Sequence, residues 1–189
     1  MADRKSKTAT SHSLLFAALV WAGFGAGAPQ AAEVFAGVYA HDVNLGVTVC
    51  CYEHGADVQF GVRSSPVIDF HRFGDLRLYA LGSANTDGGV DFAAAGVAWR
   101  LPVGRRFYVQ GAIGGAVQDG DTYPYQRRPN RLELGSRFLF EPEAALGYVW
   151  SRRWATEISY VHLSHAQLAG PQNPGMDDLG VRAIYRFGD

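Results

Sequence analysis

The sequence predicts an all-β chain, an eight-stranded antiparallel transmembrane β-barrel, on three observations. First, no sustained helical period follows Glu33; short alternating stretches separated by Gly, Pro, Asn and Asp follow instead. Second, aromatic residues gather at the ends of these stretches (Phe107, Tyr148, Trp150, Trp154, Tyr185 and Phe187), where a membrane barrel places its interfacial girdle. Third, the connections alternate between short and long, as in barrels with tight inner turns and extended outer loops.

Composition sets the frame. A chain of 189 residues, 48% hydrophobic and 19% charged, suits a single domain and excludes a disordered one. A net charge of -1 offers no basic field to nucleic acid. The mean hydropathy of -0.07 excludes a helical membrane protein. It does not separate a soluble β domain from a barrel whose apolar and polar residues alternate.

At the start, Arg4, Lys5 and Lys7 precede an apolar run from Leu14 to Ala28, and small residues lead to Ala31 and Ala32. This is the layout of a cleaved secretory signal over residues 1–32, with 33–189 as the barrel domain. The run is too short for a spanning helix of about 20 residues. Both lysines belong to the leader, so the basic residues after it, histidines aside, are all Arg. Cys50 and Cys51 are adjacent, poorly placed for an unstrained bridge, and expected to be unpaired. No His/Cys spacing suggests a metal site, and no metal or organic cofactor is expected.

The stretches follow in order. The first covers about 34–43. The second, 55–64, sets Ala56, Val58, Phe60 and Val62 against Asp57, Gln59, Gly61 and Arg63. The third covers 75–84. The fourth, 89–101, holds a run of Ala and has no clear face. The fifth covers 105–118. The sixth, 135–150, sets Phe138, Phe140, Ala144, Leu146 and Tyr148 opposite Arg137, Glu141, Glu143 and Gly147. The seventh, 154–166, places Trp154, Thr156, Ile158, Tyr160, His162 and Ser164 on one side. The eighth, 176–188, places Asp177, Leu179, Val181, Tyr185 and Phe187 on one side and Asp178, Arg182 and Arg186 on the other.

In a membrane barrel the apolar faces look to lipid and the charges fill the interior. With the first strand running outward, the turns 102–104 and 151–153 lie at the inner end, and the loops 119–134 and 167–175 at the outer end. The 65–74 connection is long for an inner turn. Eight strands leave an interior that side chains fill, so a solute pore is disfavoured. Asp57, Arg63, Arg77, Glu141, Glu143, Glu157, Arg182 and Arg186 would be that filling.

Three polar residues break the pattern. His162, Ser164 and Asp177 fall on the lipid side, where ionisable groups are costly and mark candidate sites. Singly, each fits a place among headgroups. A hairpin centred near Gly170 and Pro171 brings them together, with Ser164 facing Asp177, and His162 facing Leu179 with Asp177 on its diagonal. A nucleophile, a base and an acid on one outward patch form the set a serine hydrolase needs.

These residues resemble a known family, the PagL-type lipid A 3-O-deacylases, which are eight-stranded outer-membrane barrels. The resemblance is most specific in Tyr160-Val161-His162-Leu163-Ser164-His165, in Gln172-Asn173-Pro174-Gly175-Met176-Asp177-Asp178, and in the closing Tyr185-Arg186-Phe187. The family's His-x-Ser pair maps onto His162 and Ser164 and its acid onto Asp177, where the best-known member has Glu. Its Ser-Asn-Ala-Gly run reads Ser164-His165-Ala166-Gln167 here, without the Asn and the Gly. The resemblance implies a serine esterase that removes the 3-linked acyl chain of lipid A in the outer leaflet of the outer membrane. Lipopolysaccharide would be its substrate, and a homodimer is compatible with it. Backbone N–H groups just after Ser164 would hold the oxyanion, with Asn173 as a candidate side-chain donor. Arg127, Arg128 and Arg131 are candidates for the lipid A phosphates; the usual fate of loop arginines, solvation, is the stronger reading for them.

Two other functions fit the same residues. A non-enzymatic barrel, adhesive or structural, or a member that has lost catalysis, would leave lipid A unchanged. A soluble lipid carrier would need an apolar interior, which the charged faces of the second, sixth and eighth stretches oppose.

Overall fold

The computed structural model describes residues 32–46, 48, 51–123, 127–170 and 173–187. Of the expected leader only Ala32 is among them, at the start of β1; the remainder, with Cys50 and Pro171, lies outside the described residues. The strands are β1 (Ala32–Ala40), β2 (Ala56–Arg63), a two-residue β3 (Ile68–Asp69), β4 (Asp75–Asn85), β5 (Phe92–Val103), β6 (Phe107–Gln118), β7 (Phe138–Val149), β8 (Trp154–Leu163) and β9 (Met176–Phe187).

Every pairing between these strands is antiparallel. β1 pairs with β2 and β9, successive strands from β4 to β9 pair in turn, and β2 pairs with β4. Eight long strands thereby close a barrel, and no long strand is left with an open edge. β3 is an addition. The long connection at the inner end pairs Ile68 with Leu76, makes a 3₁₀ turn over His71–Phe73, and ends as Trp99 Nε1 donates to Phe73 O at 2.8 Å. The inner connection is thus an ordered extension of β4 that presents Val67, Ile68, Phe70 and Phe73 outward.

The alternation works inside out. On β2, Asp57, Gln59 and Arg63 are buried while Val58 and Phe60 are exposed; on β7, Glu141 and Glu143 are buried while Phe138 and Leu146 are exposed. That is the pattern of a barrel whose wall meets hydrocarbon. At the inner end Trp154, Tyr185 and Phe187 stack edge to face, as do Phe107, Tyr148 and Trp150. β5 resolves the Ala run: Ala94 and Ala98 face in, and Ala95 and Val97 line the outer wall.

Inside, charge meets charge. Glu157 accepts from Arg63 at 2.8 and 3.0 Å, from Arg182 and from Tyr108. Arg182 also grips Glu143, and Glu33 receives Arg100, Arg63 and Arg186. Tyr79 donates to Glu141. Bidentate pairing lets these charges stay buried. Glu33 and Arg100 belong to this filling although the sequence pattern did not single them out. Above it, Leu132, Leu134 and Val90 are buried, and Glu53 accepts the N–H groups of Leu132 and Val90. The outer mouth is therefore plugged by its own loops.

Candidate active site

β8 and β9 carry the site, and their register differs from the sequence reading by two residues. His162 stands directly across from Asp177, and Tyr160 from Leu179. A two-residue shift keeps every side chain on its face, so the facing was right and the pairing was not. The correction brings the imidazole and the carboxylate closer than the expected diagonal. His162 Nδ1 lies 2.7 Å from Asp177 Oδ1.

Asp177 is on the lipid side by parity yet has no exposed surface. Three donors cover it. Tyr160 donates its hydroxyl to Oδ1 at 2.7 Å, Thr48 donates its hydroxyl to Oδ2 at 2.9 Å, and His162 meets Oδ1. A carboxylate so partnered fixes the ring and its tautomer, turning Nε2 away from the acid. Thr48 reaches in from the loop after β1, which is tied to β9 where Val43 N donates to Asp177 O at 2.7 Å. Gly175 closes the other side with φ +69; a Cβ there would lie 2.8 Å from Thr48 Cγ2 and 3.1 Å from His162 Cε1. Tyr160 was visible on the right face of the sequence, but its role required the register. Thr48 had no sequence signal, and Gly175 stood only as one residue of the 172–178 run, with no role attached to it.

Ser164 follows β8. The β7–β8 ladder stops after Glu143 and Val161, where Pro142 has no N–H to give, and resumes in a bridge between Phe140 and Ser164. Backbone bonds of 2.7 and 3.1 Å hold that bridge. The chain then turns through Ala166 at φ 50 and Gln167 at φ 61, the latter at the position where the related run has Gly. Such a left-handed turn strains any residue with a Cβ. Ser164 is nearly buried, and among the described residues its hydroxyl makes no hydrogen bond to His162. Catalytic bonds of this kind are often open without substrate.

The N–H of His165, expected to be a free oxyanion donor, is taken. It donates to Asn173 Oδ1 at 3.1 Å. Because an N–H can only donate, the amide oxygen must face it, which leaves Asn173 Nδ2 turned elsewhere. The three loop arginines stand apart from this patch in their contacts. Arg128 pairs with Asp121 at 3.0 Å, Arg131 donates to Gly88 O, and Arg127 lies over the Tyr123 ring.

Beside the site the outer wall is hollowed by a groove of about 590 Å³. Ala95 and Gly115, paired across β5 and β6, form its floor; Ile113, Phe138, Phe140 and Leu168 rise around it. Phe140, the bridge partner of Ser164, and His165, its neighbour, both line it.

Comparison with known proteins agrees with this layout. A family model described as lipid A 3-O-deacylase (PagL) matches residues 71–186. The lipid A deacylase PagL of Bordetella bronchiseptica is 29% identical over 89 residues, 47% of this chain and 46% of the relative, so the match spans about half of that protein's length. The crystal structure of the outer membrane enzyme PagL superposes with a TM-score of 0.60 at 18% identity, covering 80% of this chain and 97% of that one. The N-terminal β-barrel domain of Pseudomonas aeruginosa OprF, at 0.58 and 11% identity over 84% of this chain and 98% of that one, shares the fold. With the family model spanning most of the barrel, the chain belongs to the PagL family of lipid A 3-O-deacylases.

Proposed function

We propose that the protein is a lipid A deacylase of the outer membrane, a serine esterase acting on the acyl ester at the 3-position. The observation that carries this reading is the His162–Asp177 contact of 2.7 Å on the outer wall, two residues from Ser164 and beside an apolar groove. In the mechanism, Asp177 holds the imidazole so that its Nε2 takes the proton of Ser164 Oγ. Oγ attacks the ester carbonyl, and His162 returns the proton to the departing sugar oxygen. A water molecule, deprotonated by His162, then releases the fatty acid from Ser164.

The developing oxyanion needs donors near Ser164. Asn173 Nδ2 fills that role in this reading, since its Oδ1 is engaged by His165 N–H. The placement on the wall suits an amphiphilic substrate: the acyl chain lies in the groove while the ester stays at the interface. Lipopolysaccharide is the substrate, and no metal enters the chemistry of the ester.

Mass spectrometry of lipid A from cells expressing the wild type and Ser164→Ala tests the proposal. The wild type should remove the 3-linked chain and the variant should not, with both barrels assembled in the outer membrane. Full deacylation by Ser164→Ala overturns the mechanism; unchanged lipid A with the wild type favours a non-enzymatic barrel.

A further inference from the structure

On the other side of the wall from Asp177, a second cluster sits at the outer end of the interior. His41 leaves β1, Asp57 opens β2 and Asp178 lies in β9; all three are buried. One donor atom from each lies within 4.8 Å of the others. His41 Nδ1 is 3.0 Å from Asp57 Oδ2 and 3.7 Å from Asp178 Oδ1. A tetrahedral or octahedral centre with bonds of about 2.1 Å spaces adjacent ligands about 3.0–3.4 Å apart.

The surroundings are those of metal ligands. His41 Nε2 meets Glu53 Oε2 at 3.2 Å, which orients the ring and leaves Nδ1 for the cluster. Asp57 is fixed in turn by Asn85 Nδ2 at 2.8 Å, and Asp178 Oδ1 accepts Asp42 N–H at 3.2 Å. Asp178 Oδ2 is buried with no hydrogen-bond partner, and its residue has no exposed surface. Such an orphaned carboxylate oxygen is costly unless a proton or a cation fills the space between the two carboxyl groups.

Three carboxylates, Glu53, Asp57 and Asp178, gather around the one imidazole at 3.2, 3.0 and 3.7 Å.

We infer that His41, Asp57 and Asp178 bind one divalent transition-metal ion, of the zinc or manganese kind, in the outer end of the barrel. One imidazole and two carboxylates match the donor preference of these ions. The ion would tie the β1–β2 connection to β9. That connection carries Thr48 to Asp177, so the site would be a structural brace behind the candidate active site. It stands independently of the deacylase reading, and its test does not read activity.

The full chain, refolded in detergent and stripped with chelator, is titrated with Zn²⁺ and separately with Mn²⁺. Bound metal is counted by equilibrium dialysis and the thermal midpoint is followed by circular dichroism. One ion per chain and a raised midpoint are expected. Asp178→Asn and His41→Gln should each weaken binding by about 100-fold or more, while His71→Gln, on the inner turn, should bind as the wild type does. Should Asp178→Asn fail to fold, His41→Gln and the wild-type midpoint decide the matter. No metal-dependent midpoint shift in the wild type overturns the proposal. So does binding that survives both ligand substitutions, or stabilisation by Ca²⁺ alone.

Discussion

Tyr160 donates its hydroxyl to Asp177 Oδ1 at 2.7 Å, and so holds the same carboxylate oxygen that faces His162. The phenol and the imidazole lie two residues apart on β8 and share one acceptor on β9. With Thr48 on the other oxygen, the acid has no freedom to rotate away from the ring.

Tyr160→Phe keeps the ring and removes that bond. A hydrogen bond to a charged group is worth about 1.5–3 kcal/mol. The expected result is a fall in kcat of about tenfold or more with KM little changed, since neither hydroxyl is assigned to substrate. Thr48→Val should behave alike. Kinetics on purified lipid A in mixed micelles measure both, and a pure KM effect would contradict the positioning role.

Gly175→Ala probes the same packing from the loop. The backbone there has φ +69, and the added methyl meets Thr48 and His162 at 2.8 and 3.1 Å. The strain is about 1–2 kcal/mol. More than tenfold loss of deacylation is expected, with the barrel still showing heat-modifiable mobility on gels.

The faces of the strands were legible in the sequence because burial enforces a period of two. The register was not, because a shift of two residues leaves every face unchanged. His162 and Asp177 were thus placed on the right wall, one step out of line. The cause lies in the loop: Ser164 still pairs with β7, and the left-handed turn at Ala166 and Gln167 makes the connection asymmetric. Thr48 and the partners of His41 come from distant segments and obey no local period. Glu33 sits at the expected leader's edge, where no alternation precedes it to assign its side. Cys51 is a further correction, being disulfide-bonded rather than unpaired.

Gly115→Leu tests the groove. A Cβ at Gly115 meets nothing within 4 Å, so the substitution starts without a clash and projects its side chain into the groove. It should shorten the space for an acyl chain, raising KM for long 3-linked chains and sparing short ones. Competition between lipid A species of two chain lengths, read by mass spectrometry, checks this. Equal loss for both lengths would place the groove outside the substrate path.

Glu157→Gln addresses stability. Glu157 neutralises Arg63 and Arg182 at 1% exposure, and the substitution leaves buried cations short of an anion. Breaking one side of such a network costs about 3–5 kcal/mol. Urea unfolding in lipid vesicles should show a lowered midpoint with an unchanged slope.

The interior is filled by Arg–Glu pairs and capped by Leu132 and Leu134, while His162 and Asp177 stand on the outside. On the proposed function, a lipid substrate reaches them sideways, by diffusion within the leaflet. The encounter is two-dimensional. Its frequency follows the mole fraction of substrate among neighbouring lipids, and diluting the cells or vesicles in buffer leaves it unchanged.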